Sequence, residues 1–204
     1  MSFPRRSSNL PGQSTQTSSS MPDWRDYDAM AAACAPAGGL VQTPIAKTTL
    51  TSTGTTLTLS SLTLQPNTHY RLVILFISNA SSVVNYYWTI NGDSTTTNYS
   101  MLGIFLNVTS GQFSYNKASQ NFFNDNNGEA DSLVMICDLY LTNEGNVILC
   151  GTEFGYVTGY EFGTMFFLYK PSSPLSSVTS ISVYAGSTNT LAANSYMAVY
   201  QVDK

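Results

Sequence analysis

His69 is the sole histidine in this chain of 204 residues, so a metal cluster of imidazoles is ruled out and a Ser/His/Asp relay would have to be built on that one side chain. It stands at the head of an alternating apolar run, where histidine more often serves the fold than catalysis. No G-x-S-x-G elbow, phosphate-cradling glycine loop or HExxH pair occurs. Glu153 and Glu161, set beside Gly155 and Gly159, are the residue types of a glycosidase acid and its partner carboxylate. Two such acids also arise by chance in a Ser/Thr-rich β-chain. Asp125, Glu129 and Asp131 lie among Asn124, Asn126 and Asn127, an oxygen density that suits Ca²⁺, but the order of ligands is not that of an EF-hand. We read this stretch as a solvated loop and expect no catalytic residue, no metal and no cofactor.

The three cysteines, Cys34, Cys137 and Cys150, are an odd number with no CxxC spacing. Cys137 and Cys150 flank an expected hairpin that turns at Asn143-Glu144-Gly145. With Glu144-Gly145 as a two-residue turn, Cys150 falls opposite Leu139 and the two sulfurs share one face, a diagonal apart. They read as buried free thiols behaving as small hydrophobes, with a bridge as the alternative.

Aromatic side chains are the other candidates for function. In Tyr86-Tyr87-Trp88 the strand period puts Tyr86 and Trp88 on one face and Tyr87 on the other, so that Tyr87 is offered as an exposed ring. Phe122 and Phe123 interrupt a polar interval, and with Tyr87 they are candidates for an interface or a sugar-stacking platform. Core and interface positions account for most of the remaining rings.

These residues must be held by a β-rich scaffold. Charged residues make up only 10% of the chain, against about 25% in an ordinary soluble domain. Abundant Ser, Thr and Asn keep the surface wet, while Thr, Val, Ile and Tyr suit pleated, half-buried strands. Residues 1–42 read as an extended arm: a Ser/Thr/Gln/Pro stretch that cannot repay its own ordering, then one short helix at about 22–34. Trp24 and Tyr27 fall on one helix face and, with Arg5 and Arg6, are candidates for docking on a partner. Residues 43–204 alternate as strands over Thr55–Leu59, His69–Ile77, Val84–Asn91, Met101–Val108, Leu133–Leu141, Asn146–Val157, Glu161–Tyr169 and a C-terminal pair. The interval Ser114–Asp131 reads as a surface excursion or interface loop. About eight to ten such strands make an all-β, antiparallel, jelly-roll-like β-sandwich.

Net charge is −4 with a pI near 4.7, and Arg5-Arg6 is the only basic run, so no field exists to attract nucleic acid. Leu72–Ile77, the longest strongly apolar run, is far short of the roughly twenty residues a membrane helix needs, and the N-terminus lacks an apolar signal core. We expect neither a nucleic-acid nor a membrane partner.

Two motifs carry a resemblance. The C-terminus runs from a strand (Val178, Ile181, Val183) through Leu191-Ala192-Ala193-Asn194-Ser195 into a last strand (Tyr196, Ala198, Tyr200, Val202). Near the middle, Tyr70–Ile74 leads on to Trp88-Thr89-Ile90-Asn91-Gly92-Asp93 and then Asn98-Tyr99. Together, over about residues 45–204, they resemble small virion proteins of tailed bacteriophages, of the capsid-decoration, head-fibre and minor-tail types. The chain departs from that pattern in having Asn194 where the family usually has Gly, and in lacking a closing Tyr-Gly. The resemblance implies a non-enzymatic virion protein made in the host cytoplasm, docked by its arm on a major capsid protein and self-associated as a homotrimer. A small jelly-roll coat protein and a tail or receptor-binding component are neighbouring readings; a carbohydrate-binding adhesin of host glycans is the reading from another class.

Overall fold

The computed structural model describes residues 43–77, 84–107, 112–118, 122–125, 132–156, 160–186 and 191–202. The arm, its expected helix and Arg5, Arg6, Trp24 and Tyr27 lie outside the described residues, as do the side chains of Phe122 and Phe123.

The described residues form twelve strands: β1 Ala46–Thr49, β2 Thr56–Leu59, β3 His69–Ile77, β4 Val84–Ile90, β5 Tyr99–Asn107, β6 Gln112–Ala118, β7 Phe122–Asp125, β8 Ser132–Leu141, β9 Val147–Tyr156, β10 Tyr160–Tyr169, β11 Ile181–Ala185 and β12 Tyr196–Gln201. The described helical content is one 3-10 turn, Thr96–Asn98. Eight of the strands nest as a rolled-up hairpin. β1 pairs with β12, β2 with β11, β3 with β8 and β4 with β7, all antiparallel, and the partners fall alternately in two sheets. This is the jelly-roll arrangement within an all-β sandwich. Between β4 and β7 the chain inserts β5 and β6, and between β8 and β11 it inserts β9 and β10. The two insertions join through β10 and β5, extending one sheet to the order β1-β12-β3-β8-β9-β10-β5-β6, while the other keeps β2-β11-β4-β7.

The core lies between the sheets. In β3, alternation buries Tyr70, Leu72, Ile74 and Phe76, and β8 answers with Leu133, Met135, Cys137 and Leu139. Across the gap Phe76 stacks on Tyr86 of β4 with centroids 4.5 Å apart, and Trp88 meets Phe167 of β10 at 5.8 Å. Burying such a ring is worth roughly 2–3 kcal/mol, so these cross-sheet pairs fix which face of each strand points inward.

Two expectations are corrected. The interval Ser114–Asp131 contains most of β6 and all of β7, which pair with β5 and β4 respectively. Its Asn-rich composition disfavours strands locally, but each of these strands closes a sheet margin, where pairing on one side suffices. The hairpin between β8 and β9 is also different. Gly145 adopts φ 73° and donates its N–H to Thr142 O at 3.0 Å, while Thr142 N–H reaches Asn146 O at 2.8 Å, a turn that ends in a left-handed glycine. This longer loop moves the register by one residue, so Cys150 stands opposite Asp138 and Gly151 opposite Cys137. The sulfurs point to opposite faces: Cys137 is in the core, Cys150 is half-buried on the outside, and both are free.

Candidate interaction surface

The motif Asn91-Gly92-Asp93 makes a two-residue reversal after β4, with φ 51° and 74° at its central residues and Asp93 N–H returning to Ile90 O at 3.0 Å. Its side chains then tie three connections together. Asn91 Oδ1 accepts from the backbone N–H groups of Thr179 (2.7 Å) and Ser180 (3.1 Å), and Asn91 Nδ2 donates to Ser177 O at 3.1 Å. The Asp93 carboxylate accepts from Thr95 N–H (2.8 Å), Asn98 Nδ2 (2.7 Å) and the Tyr169 hydroxyl (2.9 Å). Tyr99 completes the knot, accepting from Ile90 N–H and donating to Asp93 O. Burial works against ionising Asp93, but the hydrogen bonds from Asn98, Thr95 and Tyr169 outweigh it and hold the carboxyl down at about 2. Burial first, with the Asp93 charge adding to it, pushes the Tyr99 hydroxyl up to about 12, and Tyr169 moves in the same direction. The Asn91 amide, the Asp93 carboxylate and the Tyr99 and Tyr169 hydroxyls are all engaged within the fold, so this hub serves to join loops.

The C-terminal motif has a similar task. Asn194 sits at φ 71°, the left-handed conformation that glycine and asparagine tolerate best. That turn lets Asn194 N–H reach Leu50 O at 2.8 Å, and it buries the Ser195 hydroxyl, which accepts from Ile77 N–H at 3.1 Å.

What remains open to solvent is the outer face of the large sheet. Register aligns one row of side chains across it, Leu75 with Val134, Val134 with Phe154, Phe154 with Phe162 and Phe162 with Leu106; the next row runs Val73, Ile136, Thr152, Thr164, Ile104. Among the described residues, seven large apolar side chains on this face are exposed, including Phe154 (50%), Ile104 (47%) and Phe166 (46%). Phe154 and Phe162 form a tilted cross-strand pair with centroids 5.1 Å apart. Taking about 200 Å² for a fully exposed large side chain, the seven present on the order of 600 Å², the upper end of what the largest apolar patch of a typical monomer reaches.

At the centre of the face the small side chains of Thr152, Thr164 and Cys150 leave a hollow of about 300 Å³, bounded by Arg71, Ile136 and Asp138. Arg71 donates to Asp138 Oδ1 through both Nε and Nη2 at 3.1 Å. His69 Nε2 lies 3.1 Å from the same oxygen but out of line for a hydrogen bond, and its ring stacks on Tyr140 at 4.6 Å. His69 is thereby placed as an ion-pair neighbour on the outside of β3.

The other sequence candidates fall elsewhere. Tyr87 projects from the small sheet, half-buried and stacked on Tyr184 with centroids 5.2 Å apart, while Tyr86 and Trp88 are in the core. Glu153 is buried (6% exposed) on the inner face opposite Gly163; the side chain of Glu161 and those of the acidic loop around Asp125 and Asp131 lie outside the described residues. Burial, reinforced by the charge of nearby Glu153, pushes the Cys137 thiol up and keeps it protonated. Among the described residues, no three His, Cys, Asp or Glu side chains gather to hold a cation, and no helix is long and apolar enough to cross a membrane. Sequence reasoning missed Ile104, Phe154 and Phe166. The available signal was that β5 and β10 are apolar at both odd and even positions, and that Ile148 and Phe154 of β9 fall out of step with its inward Val147 and Leu149. Compared with protein-family models, with curated proteins and with solved structures, the chain matches none of them.

Proposed function

We propose that this chain is a non-enzymatic structural protein of a virus particle, a capsid-decoration or head-fibre subunit that docks on the shell through residues 1–42 and stabilises it. The exposed apolar face of the large sheet carries the reading. About 600 Å² of such surface is costly to leave in water and supports the reading of a protein that works assembled. Low charge supports the same reading, because few ions need be stripped of water when such a surface is covered. The resemblance of the two motifs to tailed-phage virion proteins supplies the particle.

The rolled topology also favours a second reading, a small coat protein that itself builds the shell, since jelly rolls recur in capsid proteins. A glycan-binding adhesin fits less well, because the described exposed rings Tyr140, Phe154, Phe162 and Phe166 sit on strands of the large sheet and not on loops that could close around a sugar. Cryo-electron microscopy of particles from the source tests the proposal. Density for this chain outside a separate lattice, with residues 1–42 against that lattice, is the expected result. A continuous shell of this chain would make it the coat protein, and its absence from particles would overturn both readings.

A further inference from the structure

We propose that the outer face of the large sheet binds a second copy of this chain, face to face. The inference rests on the assembly reading of that face and deepens it by naming the occupant. Three properties select a second copy. The exposed area, on the order of 600 Å² per chain, reaches the lower end of the roughly 600–1,000 Å² each partner contributes to a stable interface. Across its five central strands, β3, β8, β9, β10 and β5, the charged side chains described are Arg71 and Asp138, which neutralise each other, beside His69; the lysines of this sheet belong to its margins, Lys47 on β1 and Lys117 on β6. A chain of net charge −4 repels its own kind, and this neutral face is where two copies can meet without that cost. The face is also complementary to itself, carrying both projecting rings, Phe154, Phe162 and Phe166, and a hollow of about 300 Å³ that can receive one.

A contact of this kind is isologous and closes at two copies. The full chain should therefore sediment as a dimer, in contrast to the trimer that the phage resemblance implies. Phe166→Glu places a charge in the middle of the face and should weaken association at least 100-fold, whereas Thr58→Glu, on the outside of the small sheet, should leave the dimer intact. Circular dichroism and the melting curve establish that each variant is folded. Should Phe166→Glu fail to fold, the unmodified protein gives a second measurement. The alkylation rate at Cys150, mapped by peptide mass, should fall as protein concentration rises through the dissociation constant, because Cys150 lines the hollow. A wild-type chain that stays monomeric at high micromolar concentration overturns the inference, as does a trimer, or a dimer indifferent to Phe166→Glu with concentration-independent alkylation. If the monomer is still recruited to particles and Phe166→Glu abolishes that, the face belongs to another virion protein: the inference fails while the proposed function stands. If the chain dimerises as expected and is found in no particle, the proposed function fails and the self-contact remains.

Discussion

The hub around Asn91 and Asp93 and the outer face of the large sheet are opposites. The hub is a small polar cluster in which each donor meets an acceptor inside the molecule; the outer face is a broad apolar surface with few such ties and little protein over it. The hub stands out in the sequence as a motif and the face does not, yet the face is what is left with unused interaction energy. Distinctive residues that satisfy each other maintain the fold, and ordinary Phe and Ile residues left uncovered are where a partner acts.

Substitutions can break this contrast. Asp93→Ala should have the largest effect on stability, about 3–4 kcal/mol in chemical denaturation, because it removes a charged acceptor and strands the Tyr169 and Asn98 donors. The same carboxylate imposes a pH signature. Its folded pKa is depressed to about 2, so its contribution is fully present above the ordinary carboxylate value of about 4 and is lost as pH falls toward 2. Wild type should thus lose stability over that acid window more steeply than Asp93→Asn, and equal slopes would remove Asp93 from the centre of the hub.

Next in size is Gly151→Ala. An added Cβ would lie 2.3 Å from Ile136 O and 2.6 Å from Cys137 Sγ, directly beneath the hollow, so β8 and β9 would have to part at a cost of about 2–3 kcal/mol in thermal or urea unfolding. Phe166→Glu should cost the isolated fold less, about 1–2 kcal/mol, since the ring is already 46% exposed. Association should nevertheless collapse. A variant that unfolded as readily as Asp93→Ala would show the face to be core and not interface. Asn194→Gly should be smallest, within about 0.5 kcal/mol, because both residues accept φ 71°, whereas Asn194→Ala should cost about 1 kcal/mol in the same assay.

Much of the fold was legible because period-2 alternation is local. β3 buries every second residue from Tyr70 to Phe76, and the pattern by itself marks the strand and its inner side. β6 and β7 were not legible, because Asn and Ser argue against strands; pairing recruits them, β6 with the preceding strand β5 and β7 with β4 more than thirty residues back. The Cys137 and Cys150 faces were misjudged through a turn one residue longer than its Glu-Gly pair suggested, and in a strand one residue reverses every side chain. The candidate surface was the least legible part. A strand such as Leu72–Ile77, apolar on both faces, reads as covered on both.

The sequence alone determined that the chain is all-β, that it carries little charge, and that Asn91-Gly92-Asp93 stands in a loop between strands, because these follow from composition, side-chain period and the backbone preferences of single residues. Tertiary structure decided the rest. Which strand nests with which depends on pairings more than a hundred residues apart, such as Ala46 with Val199. Four inserted strands widen one sheet beyond the four-stranded layer opposite it, and the outward apolar residues of that sheet stay uncovered because no other described layer packs over them.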